Sequence, residues 1–193
     1  ATDAPRLAFS RIGDAGRRGL FRVARSASGQ PVFHFEMPAV GGGPAADDYT
    51  TSLVILDRIR SLLATTLDAD TLRIRLRGIG PRQVLHVTLM EDDGTSWSAA
   101  VPVDSTWSEQ ALPLAAFTIS RGVLLPEGFP GEWNYWVDPA AGRGTSGDRL
   151  RPDHIERLQL SLRKEDGVSA APGSYGVEVE WVTLGFNVAR TGR

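Results

Sequence analysis

The chain has no cysteine among its 193 residues. This excludes disulfides, thiolate metal sites and cysteine nucleophiles together, and leaves stability to the packed core. No apolar run approaches the roughly 20 residues that a membrane span needs, and no charged-then-apolar leader opens the sequence. An excess of one charge is also missing: 21 basic residues face 23 acidic ones, for a net charge of -2. Neither nucleic acid nor an anionic membrane is therefore expected as a partner. Histidine is scarce as well. His34, His86 and His154 sit on separate segments without metal-ligand spacing, and no G-x-S-x-G nucleophile elbow is present. The start at Ala1-Thr2-Asp3-Ala4-Pro5 reads as a mature or subcloned terminus, and the expected location is periplasmic or extracellular.

What is present is an ordinary globular composition, 41% hydrophobic and 23% charged. The length suits one domain over 1–193, with a core of about 20–187 and flexible termini. The clearest hydrophobic period is two. Over 71–77, Leu72, Ile74 and Leu76 alternate with Arg73, Arg75 and Arg77, which describes a strand with one buried face. The same alternation runs through Leu85, Val87 and Leu89, and through Leu158, Leu160 and Leu162. Val177, Val179 and Trp181 open a last strand, after which Val182, Leu184 and Phe186 take over the apolar role. That slip of phase predicts a bulge or burial on both faces. Weaker strands are expected at 32–37, 49–59, 97–103 and 110–114, giving about eight in all. Asp93-Gly94 is the best hairpin turn. Helix is expected only as a turn or two at 58–67 and at 151–156, where Pro152 suits a first helical turn. The pattern predicts an all-β, two-sheet antiparallel sandwich with a long aromatic loop over 115–151.

Three places could carry chemistry. In the long loop, Trp133, Tyr135 and Trp136 follow a Pro- and Gly-rich run. Sugar rings present flat C–H faces to such aromatic planes while their hydroxyls need polar partners. The bland alternative is that these rings plug the open end of the sandwich. Next, Arg143 and Asp148 lie in a Gly-rich stretch that could hydrogen-bond hydroxyls, or could simply pair internally, Asp148 with Arg149 or Arg151. Third, the polar strand face of Arg73, Arg75 and Arg77 could lie near Gln159 and near Glu178 and Glu180. There it would read glycans through guanidinium forks, or make plain cross-strand ion pairs. The acids of Glu91-Asp92-Asp93-Gly94 and Asp47-Asp48 could hold calcium, although the EF-hand pattern is absent.

Leu72-Arg73-Ile74-Arg75-Leu76-Arg77-Gly78, the run 84–89, the strand over 107–114, the run from Ile155 to Leu162 and the closing Tyr175-Gly176-Val177-Glu178-Val179-Glu180-Trp181 together resemble a known type. It is the jelly-roll carbohydrate-binding module of the galactose-binding-like group, including family eleven modules and complex I intermediate-associated protein 30-like accessory domains of bacterial glycoside hydrolases. The resemblance implies a polysaccharide or oligosaccharide partner, a possible linked catalytic domain, no required cofactor and often a structural calcium. Two alternatives stand beside it. One is a structural domain docked on a catalytic partner through Phe129, Trp133 and Trp136. The other is a small jelly-roll lyase or hydrolase using His86, Arg73 or Arg75, and Tyr135.

Overall fold

The computed structural model describes residues 7–11, 20–40, 49–54, 69–120, 143–162 and 173–185. These residues form two antiparallel sheets. The six-stranded sheet runs in the order β1 (Leu7–Arg11), β4 (Tyr49–Val54), β10 (Ile155–Leu162), β6 (Gln83–Glu91), β7 (Ser96–Val103) and β9 (Thr118–Ile119). The five-stranded sheet runs β2 (Leu20–Arg25), β3 (Pro31–Val40), β11 (Gly173–Gly185), β5 (Thr71–Ile79) and β8 (Ser108–Pro113). Apart from the β2–β3 and β6–β7 hairpins, sheet neighbours are not consecutive in sequence, as in β10 beside β4 and β6, so the two sheets are stitched together by crossovers. This is the jelly-roll sandwich.

The alternation read from the sequence decides which side chains meet. Leu72, Ile74 and Leu76 of β5 are fully buried, as are Leu85, Val87 and Leu89 of β6, and they share one core with Phe35, Leu158, Val177 and Tyr175. Burying such side chains contributes on the order of 1.5–3 kcal/mol each, which is how a chain without disulfides holds two sheets together. The β6–β7 hairpin turns where expected. Gly94 sits at a φ of 87° and donates to the Glu91 carbonyl at 2.9 Å, while the Glu91 N–H donates to the Thr95 carbonyl at 2.8 Å. A side chain in that left-handed conformation is strained, so glycine fits the position.

Differences from the sequence reading are local. There are eleven described strands rather than about eight, because the short β1, β2 and β9 join the sheets. Leu7–Arg11 pairs with β4, so the sheet extends beyond the expected start of the core near residue 20. The 151–156 helix is a single 3₁₀ turn at Pro152–His154. The helix expected at 58–67 lies outside the described residues. The predicted phase slip is a bulge: Val179 faces Leu76, but Trp181 faces Arg75.

Candidate functional site

The bulge in β11 shapes the outward face of the five-stranded sheet. Without it, Trp181 would follow Val177 and Val179 into the core. The extra residue turns Trp181 outward, opposite Arg75, and leaves it partly exposed. Arg73, Arg75 and Arg77 point the same way, since the alternate residues of β5 are the buried ones. Each is tied to a glutamate on a flanking strand. Arg73 Nη1 donates to Glu109 at 2.9 Å, Arg75 Nε to Glu180 at 2.5 Å and Arg77 Nε to Glu178 at 2.7 Å. Trp107, just before β8, completes the patch. Its ring centroid lies 5.1 Å from the Arg77 guanidinium carbon and 5.8 Å from that of Arg75, within the range of cation–π attraction. Trp107, too, is partly exposed.

At the edge of this patch His34 is buried between two carboxylates. Its Nδ1 lies 2.9 Å from Glu178 and its Nε2 3.0 Å from Glu36. Burial pushes the Glu178 carboxyl up, but hydrogen bonds from His34 and Arg77, with their charge, outweigh it and hold the group below its ordinary value of 4.5.

A second polar cluster lies at the end of the β6–β7 hairpin. Glu91 has no exposed surface and is saturated with donors. Its Oε1 accepts from Trp97 Nε1 and from the Arg151 backbone N–H, each at 2.9 Å. Its Oε2 accepts from Arg143 Nη2 at 2.5 Å and Arg151 Nε at 2.6 Å. Arg151 also reaches Asp93 at 2.5 Å, and Arg143 reaches Asp148 at 2.6 Å. At Asp93, burial again pushes the carboxyl up, while the Thr95 hydrogen bonds and the charges of Arg151 and Arg143 bring it below its ordinary value of 3.8. Gly144 follows at a φ of 72°, and a Cβ there would meet Ile119 Cδ1 at 2.7 Å. The Arg143–Arg151 segment is therefore bolted onto β6, β7 and β9.

Arg143 and Asp148 thus do come together, and their partners are each other and the hairpin acids. Asp148 pairs with Arg143 rather than with the side chain of Arg149 or Arg151. Calcium does not fit the Glu91-Asp92-Asp93-Gly94 acids: two guanidinium groups already supply the positive charge, and Asp92 is held by His154 Nδ1 at 3.0 Å. Among the described residues no group of three or more His, Asp or Glu can hold a metal ion. Asp47-Asp48 lies outside the described residues, as do Phe129, Trp133, Tyr135 and Trp136.

Gln159 is separated from Arg73 and Arg75, because β10 belongs to the six-stranded sheet. Paired with Thr88, it faces away from the core yet is only 1% exposed. His86 sits on that same outer side, between Ser161 and Ala100. His86 and the β5 arginines consequently stand on opposite outer faces of a two-sheet sandwich whose layers alone are about 10 Å apart, so they cannot act on one substrate. Sequence reasoning took Glu91 for a turn acid able to hold calcium, where it is the buried acceptor of Trp97, Arg143 and Arg151, and it missed Trp107 and Trp181. For Trp181 the phase slip was the available signal, since a bulge reverses facing for every residue beyond it.

The sequence matches no protein-family model. No curated protein is significantly similar to it. Solved structures are similar in fold. The family 11 carbohydrate-binding module of the cellulosomal cellulase Lic26A-Cel5E of Clostridium thermocellum superposes with a TM-score of 0.55 at 10% identity, over 93% of this chain and 88% of that one. A family 11 module from the same organism, in complex with a β-1,3-1,4-mixed-linked tetrasaccharide, gives 0.57 at 10% identity over 93% and 89%. An exo-β-agarase gives 0.51 at 10% identity, with 96% of this chain matching 24% of that chain. The protein thus has the jelly-roll fold of the family 11 carbohydrate-binding modules.

Proposed function

We propose that this chain is a non-catalytic carbohydrate-binding module that holds a plant or microbial polysaccharide through aromatic stacking and hydrogen bonds from arginine and acidic side chains. The observation that carries the reading is the shared fold with a module in complex with an oligosaccharide, over nearly the whole of both chains. The surface chemistry agrees with it. Partly exposed tryptophan beside oriented guanidinium and carboxylate groups is what a hydroxylated ring needs. The aromatic stretch with Trp133, Tyr135 and Trp136 supplies further stacking residues in this reading; it leaves from Ser120, whose N–H donates to Ser96 O at 2.7 Å, and returns at the clamped Arg143. Catalysis is disfavoured because the groups a lyase would use, His86 and Arg73 or Arg75, lie on opposite faces.

The likeness to about a quarter of an exo-β-agarase chain supports an accompanying role, an accessory domain linked to a catalytic one and working outside the cytoplasm. Affinity electrophoresis against a panel of soluble polysaccharides tests the main reading. Retardation in at least one, with no reducing sugar released and no absorbance rise near 235 nm, is the expected result. No retardation in any gel defeats it.

A further inference from the structure

We infer that the outward face of the five-stranded sheet, from Trp181 across Arg75 and Arg77 to Trp107, is a binding surface for an uncharged oligosaccharide. This rests on the carbohydrate-binding reading above and gives it an address. Three observations lead there. First, the β11 bulge brings Trp181 out of the core and sets it beside Arg75. An indole held there offers a flat apolar face to the C–H face of a sugar ring, beside a guanidinium that can meet its hydroxyls.

Second, the two tryptophans are spaced for a chain rather than for a single sugar. Trp181 is level with Arg75 on one side of β5, and Trp107 precedes Ser108, which is level with Leu76 on the other side. Two strand spacings across and two residues along place the two backbones roughly 12 Å apart. An oligosaccharide spans that distance and a monosaccharide does not. Third, the polar groups between the rings are oriented but not exhausted. Arg75 and Arg77 are held through Nε, so the Nη donors of each five-donor guanidinium lie outside those bonds.

The charge on the face selects the ligand class. Arg73, Arg75 and Arg77 are matched by Glu109, Glu180 and Glu178, with Glu36 and Glu178 flanking His34. A uronate or sulfated glycan would have to compete with a carboxylate already in place at every arginine. Hydroxyl groups instead accept from the guanidinium and donate to the glutamate of the same pair.

The test is affinity electrophoresis of the wild type, Trp107→Ala, Trp181→Ala and the double variant in mixed-linkage β-glucan, xylan, agarose and polygalacturonate. The wild type should be retarded by at least one of the three uncharged polymers. The double variant should bind that polymer at least about tenfold more weakly, and each single variant several-fold. Should Trp181→Ala fail to fold, Trp107→Ala and Arg75→Met, both on the solvent side of the sheet, carry the same test. A wild type that binds while folded face variants bind equally well overturns this address and leaves the carbohydrate reading standing. Retardation by polygalacturonate alone overturns the uncharged class. A wild type retarded by nothing removes the carbohydrate reading and this inference with it.

Discussion

Replacing Glu91 by alanine should unfold the protein far more easily than its place at a strand end suggests. The carboxylate is fully buried and accepts four hydrogen bonds, two of them from arginine side chains. Removing it strands the Trp97 indole N–H, which costs about 1–3 kcal/mol when unsatisfied, and leaves Arg143 with one partner fewer in a site where its side chain is 17% exposed. Breaking a buried ion pair from one side costs about 3–5 kcal/mol. Because Arg151 is 35% exposed and can rehydrate, the lower end, about 3 kcal/mol, is the expected loss. In urea, with a slope of about 2–3 kcal/mol per M, the midpoint should fall by roughly 1 M or more. Glu91→Gln keeps the shape but turns an amide toward two guanidinium groups, and should lose about 2 kcal/mol. The control is Glu109→Ala, which breaks the Arg73 pair where the side chains are 27% and 43% exposed; there the loss should stay below about 1 kcal/mol. If Glu91→Ala and Glu109→Ala shift the midpoint equally, the hairpin clamp is no more than an ordinary surface pairing.

Other consequences are cheaper to check. Phe35 has no exposed surface, so Phe35→Ala should cost about 3–5 kcal/mol in denaturant titrations; a loss under 1 kcal/mol would mean the core is not as packed. Gly144→Ala combines a left-handed backbone with a Cβ running into Ile119, so a drop of several degrees in Tm is expected, on the order of 1–3 kcal/mol. Glu178 and Asp93 both titrate below their ordinary values of 4.5 and 3.8. Their contribution is present above those values and is lost as pH falls through the lower folded values, so stability should decline below about pH 4. Glu178→Gln and Asp93→Asn should each flatten that decline in pH-dependent melting. Because arginine rather than a cation neutralises Glu91 and Asp93, EDTA and added calcium should leave the effect of Glu91→Ala on Tm unchanged; a calcium-dependent effect would contradict the clamp.

The fold was legible because period-two patterns report burial directly. Leu72, Ile74 and Leu76 alternate with arginines in sequence and with exposed positions in space. The slip after Val179 was visible as a break in parity, but its consequence, an outward Trp181, needed the register against Arg75. Short partners carry too little pattern to be read: β9 is two residues long and is recognisable only by its pairing with Trp97 and Ser98. The site was less legible than the fold. Glu91 reads as a turn acid in sequence, and its arginines arrive from 52 and 60 residues away. Gln159 and Arg75 have equally polar strand settings, and only the crossover between sheets places them on opposite sides of the core.

Titrating the intact chain with an uncharged oligosaccharide derived from a polymer that retards it, while following tryptophan fluorescence, asks whether the protein holds sugar without acting on it. Saturable change with the sugar recovered uncleaved is the predicted result. A flat titration would mean that the chain does not bind this sugar, and cleavage would mean that it is an enzyme.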